Sequence, residues 1–520
     1  MVIIVQNRFL QHWRDLPELL TTLSLHGTNL PGGFYRPVQM LLFFLMYQVF
    51  GLSAAVFHAM NILLHAITTC LVYRLGQRLG YQMFTAFMAA LIWGVHPLFT
   101  ETVDYVSGSA EPLYAAFCLA GILALLPDFA PRKFWMSGLF FILALGSKES
   151  AIVFPALATF TLFLVSKERL TPSLYLRTWP LWLIMVVYLI ILNFVSPEKI
   201  TLLMHDPADM QYDMLYTHNI INRLLTSLAT LPVYLGLIIW PEHLHMERSY
   251  PVFSSLLSWP VLAGMAMTGA ALLQIIWGKG GRGLACSWGL LWFAAAFSPY
   301  TGIIMPINSF IAEHWLYLPG IGLSLGFAQT ISVWIERQKS EKLRNAIAGL
   351  SILAAVALGG VTFSQNRVWH DPEAFYQHIF DCGEESGRAH SSLAQYYFNI
   401  GEYDRAKEQY LAALAHPAPL WLSQTSLIHI HLAFIYLGAR PNENGLIAEP
   451  EVAKVMRLTP QLSEAIAELE KTVDIDPDYY WAHKFLSMIY DYQGEKNKAD
   501  FHAQRARSIL NNGRDPDRLL

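Results

Sequence analysis

Apolar residues fall in long unbroken blocks over the first two thirds of the chain and in turn-by-turn stripes over the last third. The blocks lie near 53–75, 83–99, 109–126, 133–146, 150–165, 178–195, 255–277, 286–304, 316–336 and 344–363. A helix of about 20 apolar residues crosses the hydrocarbon of a bilayer, so the pattern predicts ten spans or near-spans. The pair around 133–165 is short for two spans. It is interrupted by Gly146-Ser147-Lys148-Glu149, which fits two tilted or half-length helices. Two further stretches, 35–50 and 219–240, are marginal and read as interfacial or re-entrant.

From residue 387 to 513 the chain repeats itself at about 34 residues, the period of the tetratricopeptide (TPR) helical hairpin. Such a hairpin needs small residues where its helices cross. Leu393-Ala394, Tyr397, Gly401, Tyr403, Ala406, Tyr410 and Ala413 stand at that spacing. Leu486-Ser487, Tyr490, Gly494, Ala499 and Ala506 repeat it. A middle copy is split: Leu432-Ala433 and Tyr436 supply one helix, and Ala465, Leu469, Thr472 and Pro477 the other. About twenty extra residues, Pro441–Gly445 among them, lie between. The packing alanines are Ala394, Ala406, Ala413, Ala465, Ala499 and Ala506. Arrays of this kind hold peptides or proteins in a concave groove.

Composition sharpens the division. The chain is 54% hydrophobic and 14% charged. Residues 1–363 hold 20 Lys+Arg and 17 Asp+Glu, and residues 364–520 hold 15 and 22, the density of an ordinary soluble domain. The expected fold is therefore all-α: a polytopic membrane bundle over 1–363, a connector over 364–386, about three TPR units over 387–513, and a tail over 514–520. A net charge of −4 leaves no footprint for nucleic acid. Four cysteines, three of them in apolar blocks, make no disulfide framework.

Loop charge orients the bundle, because Lys and Arg resist translocation. Ten spans place thirteen basic residues inside: Arg74, Arg78, Arg132, Lys133, Lys167, Arg169, Arg177, Lys279, Arg282, Arg337, Lys339, Lys342 and Arg344. Seven stay outside: Arg8, Arg14, Arg36, Lys148, Lys199, Arg223 and Arg248. The repeats then face the periplasm of a bacterium or the lumen of the endoplasmic reticulum. At the outer ends of the spans stand His96-Pro97, Thr100-Glu101, Asp104, Glu111, Lys148-Glu149 and Glu313-His314. Any one of these fits a helix cap or a headgroup contact. As a set they point to one polar, outward-facing cavity, because ionisable groups at membrane depth are expensive unless paired or wet.

Other motifs narrow the chemistry. Arg36, in Tyr35-Arg36-Pro37, fits a phosphate fork or a headgroup anchor. His58, Asn61 and His65 share one helix face without a carboxylate or cysteine, so hydrogen bonding between helices is expected there and no metal site. The chain has no GxxxxGK[ST] phosphate loop and no HExxH, which argues against a cytosolic P-loop nucleotide-using enzyme or a zinc protease.

Tyr35-Arg36-Pro37; Gly51 with Phe57-His58, Asn61 and His65; His96-Pro97 with Thr100-Glu101 and Ser107-Gly108; Leu145 with Ser147-Lys148-Glu149; and Glu313 with Leu316-Tyr317-Leu318-Pro319 occur in this order. With Arg223, the stretch from Leu231-Pro232 to Ser249 and the repeats, this order resembles the transmembrane-and-TPR (TMTC-like) O-mannosyltransferase family of the GT-C class. The resemblance covers nearly the whole chain. It implies an enzyme that takes a mannose-like sugar from a polyprenyl-phosphate donor, outside the cytosol, to a protein hydroxyl. No other cofactor is implied, and the repeats would hold acceptor or partner protein. Arg36 and Lys148 would bind the donor phosphate, with Glu101, Glu111, His96 and Glu313 lining the same cavity.

Three departures bear on activity. The family has an acidic pair just before the segment matching Val2–Asn7, after a first span. It has Arg where His314 stands, and Asp where Glu111 stands. The in-frame codons before Met1 are therefore expected to encode about twenty apolar residues and one or two acids. Without that acidic pair the catalytic base is unassigned, and a non-catalytic membrane scaffold is the alternative to the enzyme. A transporter would want duplicated, broken helices, and no such duplication is present.

The charge asymmetry predicts sidedness. A reporter active only outside the cytosol should work when fused after Leu520 and be silent when fused near Arg282. The reverse pattern would overturn the orientation.

Overall fold

Helices begin and end where the sequence supplies the means. Pro37, whose fixed φ suits a first turn, opens one helix, and Gly51, at φ +63°, closes it. A computed structural model describes residues 2–28, 34–126, 131–166, 172–195, 216, 219–278, 280–303, 306–307, 309–337, 340–416, 422–438 and 461–511. No strand occurs among the described residues. Lys167, Arg169, Lys199, Lys279, Lys339, the Pro441–Gly445 insertion and residues 514–520 lie outside them.

The chain forms two compact units. The first is built on α1 (Val2–Val5), α2 (Leu16–Thr21), α3 (Pro37–Phe50), α4 (Ala54–Arg78), α5 (Met83–Gly94), α6 (Thr100–Asp104), α7 (Ala110–Leu125), α8 (Pro131–Ser147), α9 (Phe154–Ser166), α10 (Pro172–Val195), α11 (Ile220–Ile239), α12 (Trp259–Trp277), α13 (Gly280–Phe297), α14 (Tyr317–Glu336) and α15 (Glu341–Gln365). Among the described residues six helices are long and apolar enough to cross a membrane, and seven if α5 and the segment Pro97–Asp104, bent 51° from it, count as one; α11, in the stretch read from the sequence as interfacial or re-entrant, is one of the six. The protein is an integral, multi-pass membrane protein. Along α15, Leu350, Leu353, Val356 and Phe363 are each at least 63% exposed. Apolar surface of that extent belongs against lipid.

Where no water is driven out, close backbone approach holds helices together. A Cβ on Gly289 of α13 would meet the Gly322 carbonyl of α14 at 2.5 Å, and a Cβ on Gly322 would meet the Trp292 Cβ at 2.6 Å. Trp292 Nε1 donates to the Leu318 carbonyl at 2.9 Å across the same seam. The bundle core gathers Tyr114, Phe141, Phe154, Trp292 and Tyr317. The polar ends of its helices are pinned as well. Asn61 of α4 donates to the carbonyls of Val103 and Tyr105, both at 3.1 Å. His65 joins the Tyr317 hydroxyl at 2.7 Å and the Gly94 carbonyl at 2.8 Å.

The second unit is built on α16 (Pro372–Asp381), α17 (Gly387–Asn399), α18 (Tyr403–Ala415), α19 (Leu422–Leu437), α20 (Leu462–Ile475), α21 (Tyr480–Tyr492) and α22 (Lys496–Asn511). α17 packs with α18, α19 with α20, and α21 with α22. Gly401 and Gly494, at φ +83° and +81°, end the first helix of the outer two hairpins. At both turns the two residues after the helix cap donate back in the same crossed pattern: Gly401 to Phe398 and Glu402 to Tyr397, Gly494 to Asp491 and Glu495 to Tyr490. The six packing alanines are all buried.

Candidate functional site

The centre of the site is the break between α8 and α9. Lys148 donates back to the Ala144 carbonyl at 3.0 Å, ends α8 in an extended conformation and is followed by a 3₁₀ turn, Glu149–Val153. Extended backbone sends consecutive side chains to opposite sides, so Lys148 and Glu149 take different partners. Lys148 Nζ forms an ion pair with Glu111, on the first turn of α7. Their side chains are 7% and 3% exposed. The N-terminal position favours the carboxylate of Glu111 through the helix dipole. The rings of Tyr300 and Tyr114 stand 5.1 and 5.7 Å from the ammonium, completing a cation–π cage.

Glu149 meets Arg36. The guanidinium donates twice, from Nε at 3.0 Å and from Nη2 at 2.8 Å. The fork is possible because α3 and α8 touch: a Cβ on Gly146 would strike the Val38 side chain at 2.6 Å. Arg36 also lies 4.3 Å over the Phe34 ring. This pair is wetter than the first, with side chains 14% and 36% exposed. Gln39 Nε2 donates to the Ser107 carbonyl at 3.1 Å and to Ser109 Oγ at 3.0 Å, fastening α3 to the turn before α7. A small recess lined by Thr226, Ser227, Thr230 and Thr301 borders Tyr300.

A second group of charges forms beside α14. Glu313 accepts from Arg248 Nη2 at 2.7 Å and from the His245 N–H at 2.8 Å. Glu101 accepts from the His314 N–H at 3.1 Å and meets its Nδ1 at 2.7 Å. The expected arginine is absent at 314, and a guanidinium reaches Glu313 from the loop after α11 instead. Trp315 bridges the two groups: it stacks on Tyr300 at 5.2 Å and edges onto His314.

Arg36, Lys148 and Glu111 are thus brought together, and Glu101 and Glu313 share the neighbouring cluster. His96 joins neither pair. Its Nδ1 accepts from the Leu98 N–H at 3.2 Å and its Nε2 donates to the Ile238 carbonyl at 2.9 Å, tying α11 to the Pro97–Phe99 turn. Glu149 belongs to the polar set read from the sequence, whereas Tyr300, Tyr114 and Arg248 were not singled out as site residues from it. Asp104 differs from the other acids at this end. Glu101, Glu111, Glu149 and Glu313 each hold a basic side chain, whereas Asp104 has no basic partner among the described residues. With the Asn366 amide turned so that its nitrogen faces the carboxylate, Asp104 accepts from it at 3.0 Å.

Breaking a buried pair leaves an uncompensated charge and costs about 3–5 kcal/mol, whereas replacing both members is often neutral. Lys148→Met should therefore lower the melting temperature in detergent sharply, and Lys148→Met with Glu111→Leu should restore most of it. Arg36→Gln, at the wetter pair, should cost less. Equal stability of all four proteins would contradict the pairing.

The chain matches curated proteins over 73% of its length. It is 24% identical over 386 residues to a protein O-mannosyl-transferase of Caenorhabditis elegans, covering 53% of that protein. It is 22% identical over 444 residues to protein O-mannosyl-transferase TMTC1 of Homo sapiens, covering 48% of it. It is 22% identical over 407 residues to protein O-mannosyl-transferase TMTC3 of Mus musculus, covering 44%. The chain thus spans about half the length of the curated relatives it matches. No family model and no solved structure matches it. The relatives bear the name that the order of motifs pointed to: the chain is similar to proteins named TMTC-type protein O-mannosyl-transferases.

Proposed function

We propose that this chain is a GT-C-type protein O-mannosyltransferase that uses a polyprenyl-phosphate mannose donor on the non-cytosolic side of its membrane. The observation that carries the reading is the double ion pair at the α8–α9 break, Arg36–Glu149 beside Lys148–Glu111. Two cations held in place before the donor arrives are what a departing phosphate needs, since fixed charges stabilise it without reorganisation. Arg36 sits at the start of α3 with 14% of its side chain open, and so is the group that meets the phosphate. Lys148, caged by tyrosines, holds Glu111 and adds its field.

In the reaction the bond from the sugar C1 to the phosphate oxygen breaks and polyprenyl phosphate leaves with its electron pair. The acceptor Ser or Thr oxygen bonds to C1, and its proton passes to a carboxylate. Asp104 supports that last role among the described residues, because its lone pairs are not committed to a cation. The helical repeats hold the acceptor protein.

The test is transfer of labelled mannose from polyprenyl-phosphate mannose to a Ser/Thr-rich peptide, with the chain in nanodiscs. Arg36→Gln should lower kcat about 10²–10³-fold, as loss of one transition-state donor does. Asp104→Asn should lower it about 10²–10⁴-fold. Asp104→Asn should melt close to the parent, and Arg36→Gln below it by less than Lys148→Met. Peptide binding without any transfer would make the chain a membrane scaffold. Transfer unchanged in either variant would remove that residue from the mechanism.

A further inference from the structure

A second site lies in the TPR unit, at the open end of its first hairpin. Three side chains converge there: Glu385 in the loop before α17, His390 on the first turn of α17, and His416 at the cap of α18. Their donor atoms all lie within 4.8 Å of one another. In a helical hairpin the start of the first helix and the end of the second come to the same edge, which is why residues separated by a whole repeat meet.

The hydrogen bonds fix which ring nitrogens carry lone pairs. His390 Nδ1 lies 2.8 Å from Gln409 Oε1, an acceptor, so Nδ1 carries the proton and Nε2 carries the lone pair. That Nε2 is buried and has no hydrogen-bond partner, in a residue only 8% exposed. His416 Nδ1 lies 2.8 Å from the Ala412 carbonyl and is likewise the donor. Its Nε2 therefore presents a lone pair too, and it faces Glu385 Oε2 at 3.1 Å. Two lone pairs at that separation need a positive centre between them. A proton on His416 would satisfy that contact and leave His390 Nε2 empty. A metal ion satisfies all three groups at once.

Phe380, His390 and His416 form a stack, with centroids 4.4 and 4.8 Å apart; a ring lone pair lies in the ring plane, so one imidazole turns out of this stack when both Nε2 atoms take one ion. Ser386 Oγ accepts from the Ala389 N–H at 3.0 Å and fixes the loop that carries Glu385. A ligating histidine characteristically spends its other ring N–H on a carbonyl, as both do here. Two imidazoles and one carboxylate are a zinc donor set. Donors around a tetrahedral zinc at about 2.0 Å stand about 3.3 Å apart, so closing on the ion takes a shift of about 1 Å per side chain together with the turn of one ring. Glu385 is 62% exposed, and that open side leaves room for water as the fourth ligand.

We propose that Glu385, His390 and His416 bind one Zn²⁺ ion, which staples the two ends of the first TPR hairpin together. No spacing in the sequence announces the site, because positions 385, 390 and 416 fit no metal motif.

The experiment uses the full chain, purified in detergent, stripped with chelator and titrated with Zn²⁺. Bound metal is read by elemental analysis and affinity by calorimetry. The parent should bind one equivalent, and Co²⁺ in its place should give the visible absorption of a tetrahedral site. His390→Gln should weaken Zn²⁺ binding at least about 30-fold. Gln409→Leu, which frees the ring without touching a ligand, should weaken it about 10–100-fold. Glu385→Gln, at an exposed loop position, should weaken it about tenfold with the circular dichroism unchanged. It therefore decides the question if the buried variants fail to fold. Zn²⁺ should raise the melting temperature of the parent more than that of Glu385→Gln. No stoichiometric zinc in the parent, or the same affinity in Glu385→Gln and the parent, would overturn the proposal.

Discussion

A charge buried within a membrane bundle has to find its opposite, and the first unit is organised by that requirement. Lys148 and Glu111 are almost wholly enclosed, and each is tolerable only because the other is there. Their pairing needs the end of α8 and the start of α7 at one point. The next residue, Glu149, then needs Arg36, which brings in α3. Gly146 is the geometric concession that allows the approach, since any side chain there would strike Val38. The same logic recurs at Glu313 and Glu101. Each sits on a first turn and is held by a basic side chain from elsewhere in the chain.

This arrangement has a chemical corollary. Ion pairs fixed by packing are already oriented when a ligand arrives, and fixed charges do more for a developing anion than mobile ones. In the proposed reaction Arg36 is the group able to share itself between Glu149 and a phosphate, because its pair retains contact with water. Lys148 has no such freedom. The two cations therefore divide the work, one meeting the donor and one holding the frame. Asp104, with an amide for a neighbour, keeps its lone pairs for a proton.

Much of this was legible in the sequence, and what was not has physical reasons. The all-helical fold follows from apolar blocks and from a period that places Ala394, Ala406 and Ala413 at helix crossings, where only a small side chain fits. Those signals are local. The membership of Arg36, Lys148 and Glu111 in one cluster came from motif order. Their partners did not, because Arg36 meets Glu149 across 113 positions and Arg248 meets Glu313 across 65. The resembled family has Arg where His314 stands, yet in the structure His314 serves Glu101 while Arg248 serves Glu313. The histidines of the first hairpin carried no sign either, since ring orientation depends on Gln409 and Ala412, which only folding places beside them.

The central claim is that the paired cations at the α8–α9 break form a binding place for a lipid-linked phosphate. The most direct measurement compares binding of a polyprenyl phosphate with that of the same polyprenol lacking phosphate, to the parent and to Arg36→Gln in nanodiscs. The account predicts that the parent prefers the phosphate-bearing lipid by at least about tenfold, and that Arg36→Gln removes most of that preference while still binding the tail. Equal binding of both lipids by the parent, or a preference untouched in Arg36→Gln, would contradict it.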